Sequence, residues 1–219
     1  MRAGYLSRGH QACTRCGTPL EWRYALLEID VTRSPVAVPP AGHPDVSLRW
    51  LQPKDAHAWY AVLRLPEVTA QTSWSLASAE DLKPILAACG QDASASQVRL
   101  AIVDTEGAFA GSIGFHSINS QHGTAEIAYE LAPNYWRRGI ASAVCDEVVA
   151  WAWQRFGWQR IQASVLDTNA ASAGVLRRCG FNLEGRLRRY RRVAGVSRDF
   201  DVYSRLAEPS GDVISSTAG

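Results

Sequence analysis

At 219 residues, with 47% hydrophobic and 20% charged side chains, the chain is long enough for one well-packed domain plus an appendage and too short for two large domains. Lys+Arg 23 against Asp+Glu 21 leaves a formal charge of +2, which argues against a dedicated nucleic-acid binder, whose basic excess is larger and clustered. The five cysteines, Cys13, Cys16, Cys89, Cys145 and Cys179, are odd in number and scattered, no run approaches the roughly 18 apolar residues of a membrane span, and no signal peptide opens the chain; together these read as a soluble, reducing, cytoplasmic protein.

Residues 1–45 differ in texture from the rest of the chain. They end in "TRSPVAVPPAGHPDV", whose four prolines suit neither a helix nor a central strand, and they read as a poorly ordered leader and linker. Cys13 and Cys16 within it have half the spacing of a zinc knuckle, which His10 and His43 could complete; a single C-x-x-C lacks its second half, and the expectation is no metal. From Val46 the pattern alternates between strand and helix. "VSLRWL" reads as a strand and "PKDAHAWYAVL" as a helix opening on proline and aspartate. "SAEDLKPILAAC" reads as a second helix capped by Ser78 with Asp81 three residues on, and Pro84 should kink or shorten it. "VRLAIV", a turn at "DTEG" and "AFAGSIGFHSI" form a hairpin pattern. "TAEIAYEL" alternates, with Ala125, Ile127, Tyr129 and Leu131 on one face and Glu126, Ala128 and Glu130 on the other.

That strand stops at Pro133, and "NYWRRGIASA" comes next. Beyond Gly139 the period becomes helical: Ile140, Val144, Val148 and Trp151 share a face opposite Asp146, Glu147 and Gln154. A strand, a turn and a helix N-terminus make an anion site, because the first helical N–H groups are unpaired and glycine permits close approach. Arg137, Arg138 and the Ser142 hydroxyl would add donors for phosphate oxygens; the plainer alternative is a turn glycine beside solvated arginines. The stretch is neither a Walker loop nor G-x-G-x-x-G. After it come a strand at "RIQASVL", a short helix at "NAASAGVLRRCGF" stopped by Gly180, and a terminal hairpin turning near Gly195. Residues 208–219 read as a polar tail.

Three segments, "AEIAYELAPNYWRRGIASAVCDEVVAWAW", "ASVLDTNAASAGVLRRCGFNLEGRLRRY" and "RDFDVYS", resemble the GCN5-related N-acetyltransferase (GNAT) superfamily, and most its ribosomal-protein N-terminal acetyltransferase branch. The resemblance covers residues 46–207. It implies an α/β (α+β) fold in which a mixed, mostly antiparallel sheet of about seven strands, flanked by about four helices, splays between its fourth and fifth strands to hold acetyl-CoA. On this resemblance "WRRGIA" corresponds to the pyrophosphate loop, with Gly139 and Ala141 at its fixed positions and Trp136 where glutamine or arginine is usual. The implied cofactor contacts are Arg137, Arg138, Gly139, Ile140, Ala141 and Ser142, with the Ala128 main chain at a bulge of the fourth strand and Asn169 near the pantetheine arm. Asn169 suits a helix cap equally well.

Acetyl transfer by direct attack needs alignment of two substrates, a proton acceptor, oxyanion stabilisation and a proton for the thiolate. Glu126 is the candidate base, against the alternative of a solvated or salt-bridged strand residue. The family's usual tyrosine acid falls at Leu176 and another glutamate position at Ser164, so Ser172 becomes the candidate partner of the thiolate, with Tyr190 behind it. Trp50, Trp59, Trp74 and Trp136 either line an acceptor groove or belong to the core. His57, His116 and His122 show no ligand spacing and read as bland. Arg186, Arg188, Arg189, Arg191, Arg192 and Arg198 fall on the terminal hairpin, where a solvated sheet edge competes with an acidic partner or ribosomal RNA. The reading is an N-acetyltransferase acting on a protein N-terminal α-amine. Its alternatives are acetylation of a small amine, such as a polyamine, an amino-acid analogue or an aminoglycoside, and a coenzyme A-binding sensor without catalysis. A monomer and a homodimer are both compatible with it.

Overall fold

The computed structural model describes residues 37–91 and 95–208. Cys13, Cys16 and His10 lie outside them, as do most of the leader and nearly all of the tail. Among the described residues seven strands form one sheet: β1 (Val46–Trp50), β2 (Val98–Asp104), β3 (Phe109–Asn119), β4 (Thr124–Leu131), β5 (Arg160–Leu166), β6 (Asn182–Val193) and β7 (Val196–Leu206). Their spatial order is β1-β2-β3-β4-β5-β7-β6. Every neighbouring pair is antiparallel except β4 and β5. The helices are α1 (Ala56–Leu63), α2 (Pro66–Thr69), α3 (Lys83–Ala88), α4 (Ile140–Phe156) and α5 (Ala170–Arg178). None of them is long and apolar enough to cross a membrane.

Alternation along the strands sorts side chains into two cores. Val98, Leu100 and Ile102 of β2 join Ala125, Ile127 and Leu131 of β4 beneath α4, whose Val144, Val148, Val149 and Ala152 have no exposed surface. Ala101 and Val103 face the other way, into a layer made by Trp59, Val62 and Leu63 of α1 with Leu82 and Leu86. Each such side chain of Val size or larger contributes about 1.5–3 kcal/mol when fully buried. Because helices cover both faces, the polar face of β4 differs from the expectation for a strand with one wet side. Glu126 and Glu130 are 5% and 7% exposed, and each has an arginine for a partner.

The site is positioned by where two strands part. β4 and β5 pair at only three positions, Thr124 with Arg160, Ala125 with Ile161 and Glu126 with Gln162. Beyond them β4 follows β3, while β5 pairs with β7 as far as Leu166. The sheet therefore opens into the V that the resemblance implies. No bulge interrupts β4 at Ala128, which sits in regular register with Gly114; the irregularity falls instead on β3 after His116.

Local chemistry accounts for most element boundaries. Ser78 and Asp81 form the expected capping box, but the segment divides into a 3-10 turn, Ala79–Leu82, and α3. Pro84 falls in the first turn of α3, where a missing N–H costs nothing. The four-residue α2 is too short to show a period in the sequence. Contacts also begin before Val46: Ala41 is buried, and Trp151 Nε1 donates to the Ala37 carbonyl at 3.2 Å.

Candidate active site

The V opens a cleft of about 1540 Å³, larger than a usual single-ligand pocket of about 300–1,000 Å³ and roomy enough for a cofactor and an acceptor together. Glu126, Ala128, Arg137, Gly139, Ile140, Ala141, Ser142, Asn169 and Ser172 all line it. Arg138 does not. Its guanidinium pairs with Asp45 and lies 5.8 Å from the centre of the Tyr135 ring, and the His43 ring nitrogen Nε2 is 3.0 Å from its carbonyl. Of the loop arginines only Arg137 reaches the cleft.

The loop before α4 is shaped from both ends. Leu131 is the last residue of β4, and its carbonyl accepts a hydrogen bond from Trp136 Nε1 at 2.8 Å, which fixes where the chain leaves the strand. Arg137 (φ 60°) and Gly139 (φ 82°) then turn it with left-handed backbones. The first α4 bond runs from Ala143 N–H to the Gly139 carbonyl at 3.1 Å, so the N–H groups of Ile140, Ala141 and Ser142 have no helical partner. They converge at the positive end of a 17-residue helix, which is the arrangement that a pyrophosphate requires.

On the opposite arm Asn169 caps α5, its Oδ1 accepting from Ser172 N–H at 3.0 Å. Asn169→Ala is accordingly expected to cost about 1 kcal/mol of stability, read as a lower urea midpoint at unchanged slope. The Tyr129 hydroxyl lies within reach of both the Ser172 hydroxyl (3.0 Å) and the Ser172 carbonyl (3.2 Å). Burial pushes this phenol well above its ordinary value, so it stays protonated at any working pH. Leu176, at the usual tyrosine position, is fully buried beneath α5. Tyr190 is 45% exposed and stands outside the cleft. Tyr129 therefore brings a phenol to the Ser172 side of the cleft by a route that the sequence motif does not show.

At the Glu126 end of the cleft Arg191 Nη2 donates to Glu126 Oε1 at 3.3 Å. His116 lies directly across the hairpin from Glu126 and lines the same cleft. Burial lowers the His116 pKa; Glu126 opposes this, and Arg99 and Arg191 reinforce it. The floor is a buried network. Arg99 Nη2 donates to both Glu130 oxygens at 3.1 and 2.8 Å, Arg99 Nε donates to Ser112 Oγ at 2.8 Å, and Trp59 Nε1 donates to Glu130 Oε1 at 2.5 Å. Ser112 also donates to Glu130.

The tryptophans divide. Trp74 and Trp136 line the cleft, Trp59 is fully buried in the α1 core, and Trp50 packs edge-on against Trp151. Half of the six hairpin arginines from Arg186 to Arg198 are ion-paired, Arg186 with Asp201, Arg191 with Glu126 and Arg198 with Asp167, and β6 is one edge of the sheet. His116, Tyr129 and Arg191 are site residues to which the sequence alone assigns no role. Only the folded chain brings them in, since their partners lie 10, 43 and 65 positions away.

Residues 45–182 match the family described as acetyltransferase (GNAT) domain. An uncharacterized N-acetyltransferase of Bacillus subtilis (strain 168), YoaA, is 35% identical over 161 residues, covering 72% of this chain and 90% of its own. Among the solved structures that share the fold are an alpha-N-protein and a spermidine acetyltransferase. RimL, the ribosomal L7/L12 alpha-N-protein acetyltransferase in complex with coenzyme A, has a TM-score of 0.67 at 19% identity, over 77% of this chain and 98% of its own. Spermidine N-acetyltransferase from Vibrio cholerae, in complex with CoA and spermine, has a TM-score of 0.67 at 18% identity, over 75% and 96%.

Proposed function

The chain belongs to the GNAT acetyltransferase family, and from that premise we propose that it transfers the acetyl group of acetyl-CoA to a protein N-terminal α-amine. The donor's chemistry is that of the family: a thioester whose carbonyl an amine attacks directly within a ternary complex. The residues present fit such a donor. The unpartnered N–H groups of Ile140, Ala141 and Ser142, beside Gly139 and Arg137, supply charge and hydrogen bonds for a pyrophosphate. Asn169 and the open edge of β4 around Ala128 offer polar groups along the path between that loop and Glu126.

The acceptor half of the cleft presents Glu126 toward the amine, where it steadies the positive charge of the incoming ammonium. The Ser172 hydroxyl is placed to donate toward the departing thiolate, and Tyr129, whose phenol is held protonated, keeps that hydroxyl in place. Orientation carries much of the rate, since little covalent work falls to the protein.

Charge favours an α-amine over a polyamine. Of the carboxylates lining the cleft, Glu126 and Glu130 are each paired with an arginine, and Glu67 is exposed at the rim. A polyamine brings several ammonium groups, each requiring an unpaired anion once it is desolvated. A peptide N-terminus brings one. The reading is tested by acetyl-CoA-dependent thiol release with peptides of varied N-terminal residue, spermidine and an aminoglycoside. At least one peptide is expected to exceed spermidine in kcat/KM by about tenfold or more. A preference for spermidine or the aminoglycoside would overturn the acceptor class, and coenzyme A binding without turnover on any amine would leave a cofactor-binding sensor.

A further inference from the structure

We propose that His116 is the proton acceptor of the reaction, taking a proton from the acceptor ammonium on Nε2 while Glu126 holds the imidazolium that results. The assignment rests on the acetyl-transfer reading and names a residue within it.

Position is the first support. His116 and Glu126 are directly opposed on β3 and β4, which places their side chains on the same face with Cβ atoms about 4.5–5.5 Å apart. That face is the acceptor half of the cleft, and both residues line it. Glu126 is not free to work alone, since Arg191 already occupies its Oε1.

Orientation is the second. His116 Nδ1 is 3.0 Å from Ser117 Oγ, and Nε2 has no protein partner among the described residues. With Nδ1–H donating to that hydroxyl, Nε2 carries the lone pair. The backbone is built for this contact. β3 loses its register with β4 immediately after His116, and Ser117 adopts a left-handed φ of 50°, unusual for a residue with a side chain and frequent at functional sites. Ser117 also lines the cleft.

Protonation state is the third. Burial is the largest influence and keeps the imidazole neutral near pH 7. The charged groups facing it are Glu126 on β4, which raises its pKa, and Arg99 on β2 and Arg191 on β6, which lower it. A neutral imidazole beside a carboxylate can accept a proton and be steadied once charged.

The step balances. The ammonium gives one proton to Nε2 and becomes a free amine; its nitrogen forms the new bond to the acetyl carbon and the carbon–sulfur bond breaks. The thiolate gains a proton to become the thiol. The nitrogen sheds its second proton on becoming an amide, which offsets the one the thiolate gains, and the imidazolium returns its own to solvent, for a net release of one proton.

The test is kcat/KM against pH for wild type, His116→Gln and Glu126→Gln, with the best acceptor amine. Coenzyme A affinity by calorimetry is the control for folding. His116→Gln is expected to lose about a hundredfold or more in rate at neutral pH with cofactor affinity unchanged. Its profile should lose the acid limb of the wild type and climb with pH toward the acceptor amine's own pKa of about 8. His116→Gly should recover part of the rate from added imidazole. Glu126→Gln should move the acid limb to lower pH, because removing the carboxylate removes the influence that raises the imidazole pKa. A His116→Gln enzyme that keeps its wild-type rate and acid limb overturns the assignment and leaves the acetyl-transfer reading intact. Wild-type protein that turns over no amine overturns both.

Discussion

Glu130→Ala is expected to destabilise the domain by about 3–5 kcal/mol, the largest single-residue effect that the structure implies. The alanine removes the carboxylate paired with Arg99, whose side chain is 3% exposed, and it strands the Trp59 indole N–H and the Ser112 hydroxyl that both point at Glu130. A buried guanidinium without its anion cannot shed its charge. Because Trp59 stands on α1 and Arg99, Ser112 and Glu130 on β2, β3 and β4, the loss also loosens the helical layer that walls the acceptor half. Replacing both partners, as in Arg99→Met with Glu130→Leu, should recover much of the stability, since what costs most is the orphaned charge. Chemical denaturation reads both; a Glu130→Ala cost below about 1 kcal/mol would show that solvent reaches Arg99 and that the network is not the floor described.

Gly139→Asp is expected to weaken coenzyme A binding by about a hundredfold, about 2.7 kcal/mol, while stability changes little. A Cβ built on Gly139 meets no atom within 4 Å, so the new side chain has room in the cleft. The left-handed backbone at φ 82° costs a residue with a Cβ about 1–2 kcal/mol, least for Asp and Asn. Asp is also a strong N-cap, and its carboxylate suits the positive end of α4, offsetting that strain. The same carboxylate occupies the place an anion would take at the unpartnered N–H groups. Calorimetry against coenzyme A and a thermal melt separate the effects: weak binding with an unchanged melt supports the anion site, and unchanged binding removes it.

Sequence makes some parts of this molecule readable because the signals are local. Alternation along "TAEIAYEL" places β4, the change of period at Gly139 places the start of α4, and Ser78 with Asp81 announces its turn. The fitting of Asn169 to a cap can be read from its position alone, and its place in the cleft comes with the resemblance. Other parts depend on register between strands. Neither the pairing of His116 with Glu126 nor the reach of Arg191 across to β4 leaves a trace in either segment, because the first depends on how two strands slide past one another and the second on strands that are not neighbours in the sheet. Alternation assigns Tyr129 to one face of its strand, yet only the departure of β4 from β5 shows that this face meets Ser172. Arg138 illustrates the converse. Its motif position points to phosphate, but Asp45, 93 residues earlier, draws its side chain away.

We propose that cofactor binding centres on the helix N-terminus where β4 parts from β5, and the most direct measurement is a titration of amide-resolved nuclear magnetic resonance spectra with coenzyme A. The backbone N–H signals of Gly139, Ile140, Ala141 and Ser142 are predicted to shift furthest, followed by those near Ala128 and Asn169, with Arg192 and the β6 edge unmoved. Saturable binding that leaves the Gly139–Ser142 amides in place and shifts another surface would contradict that site.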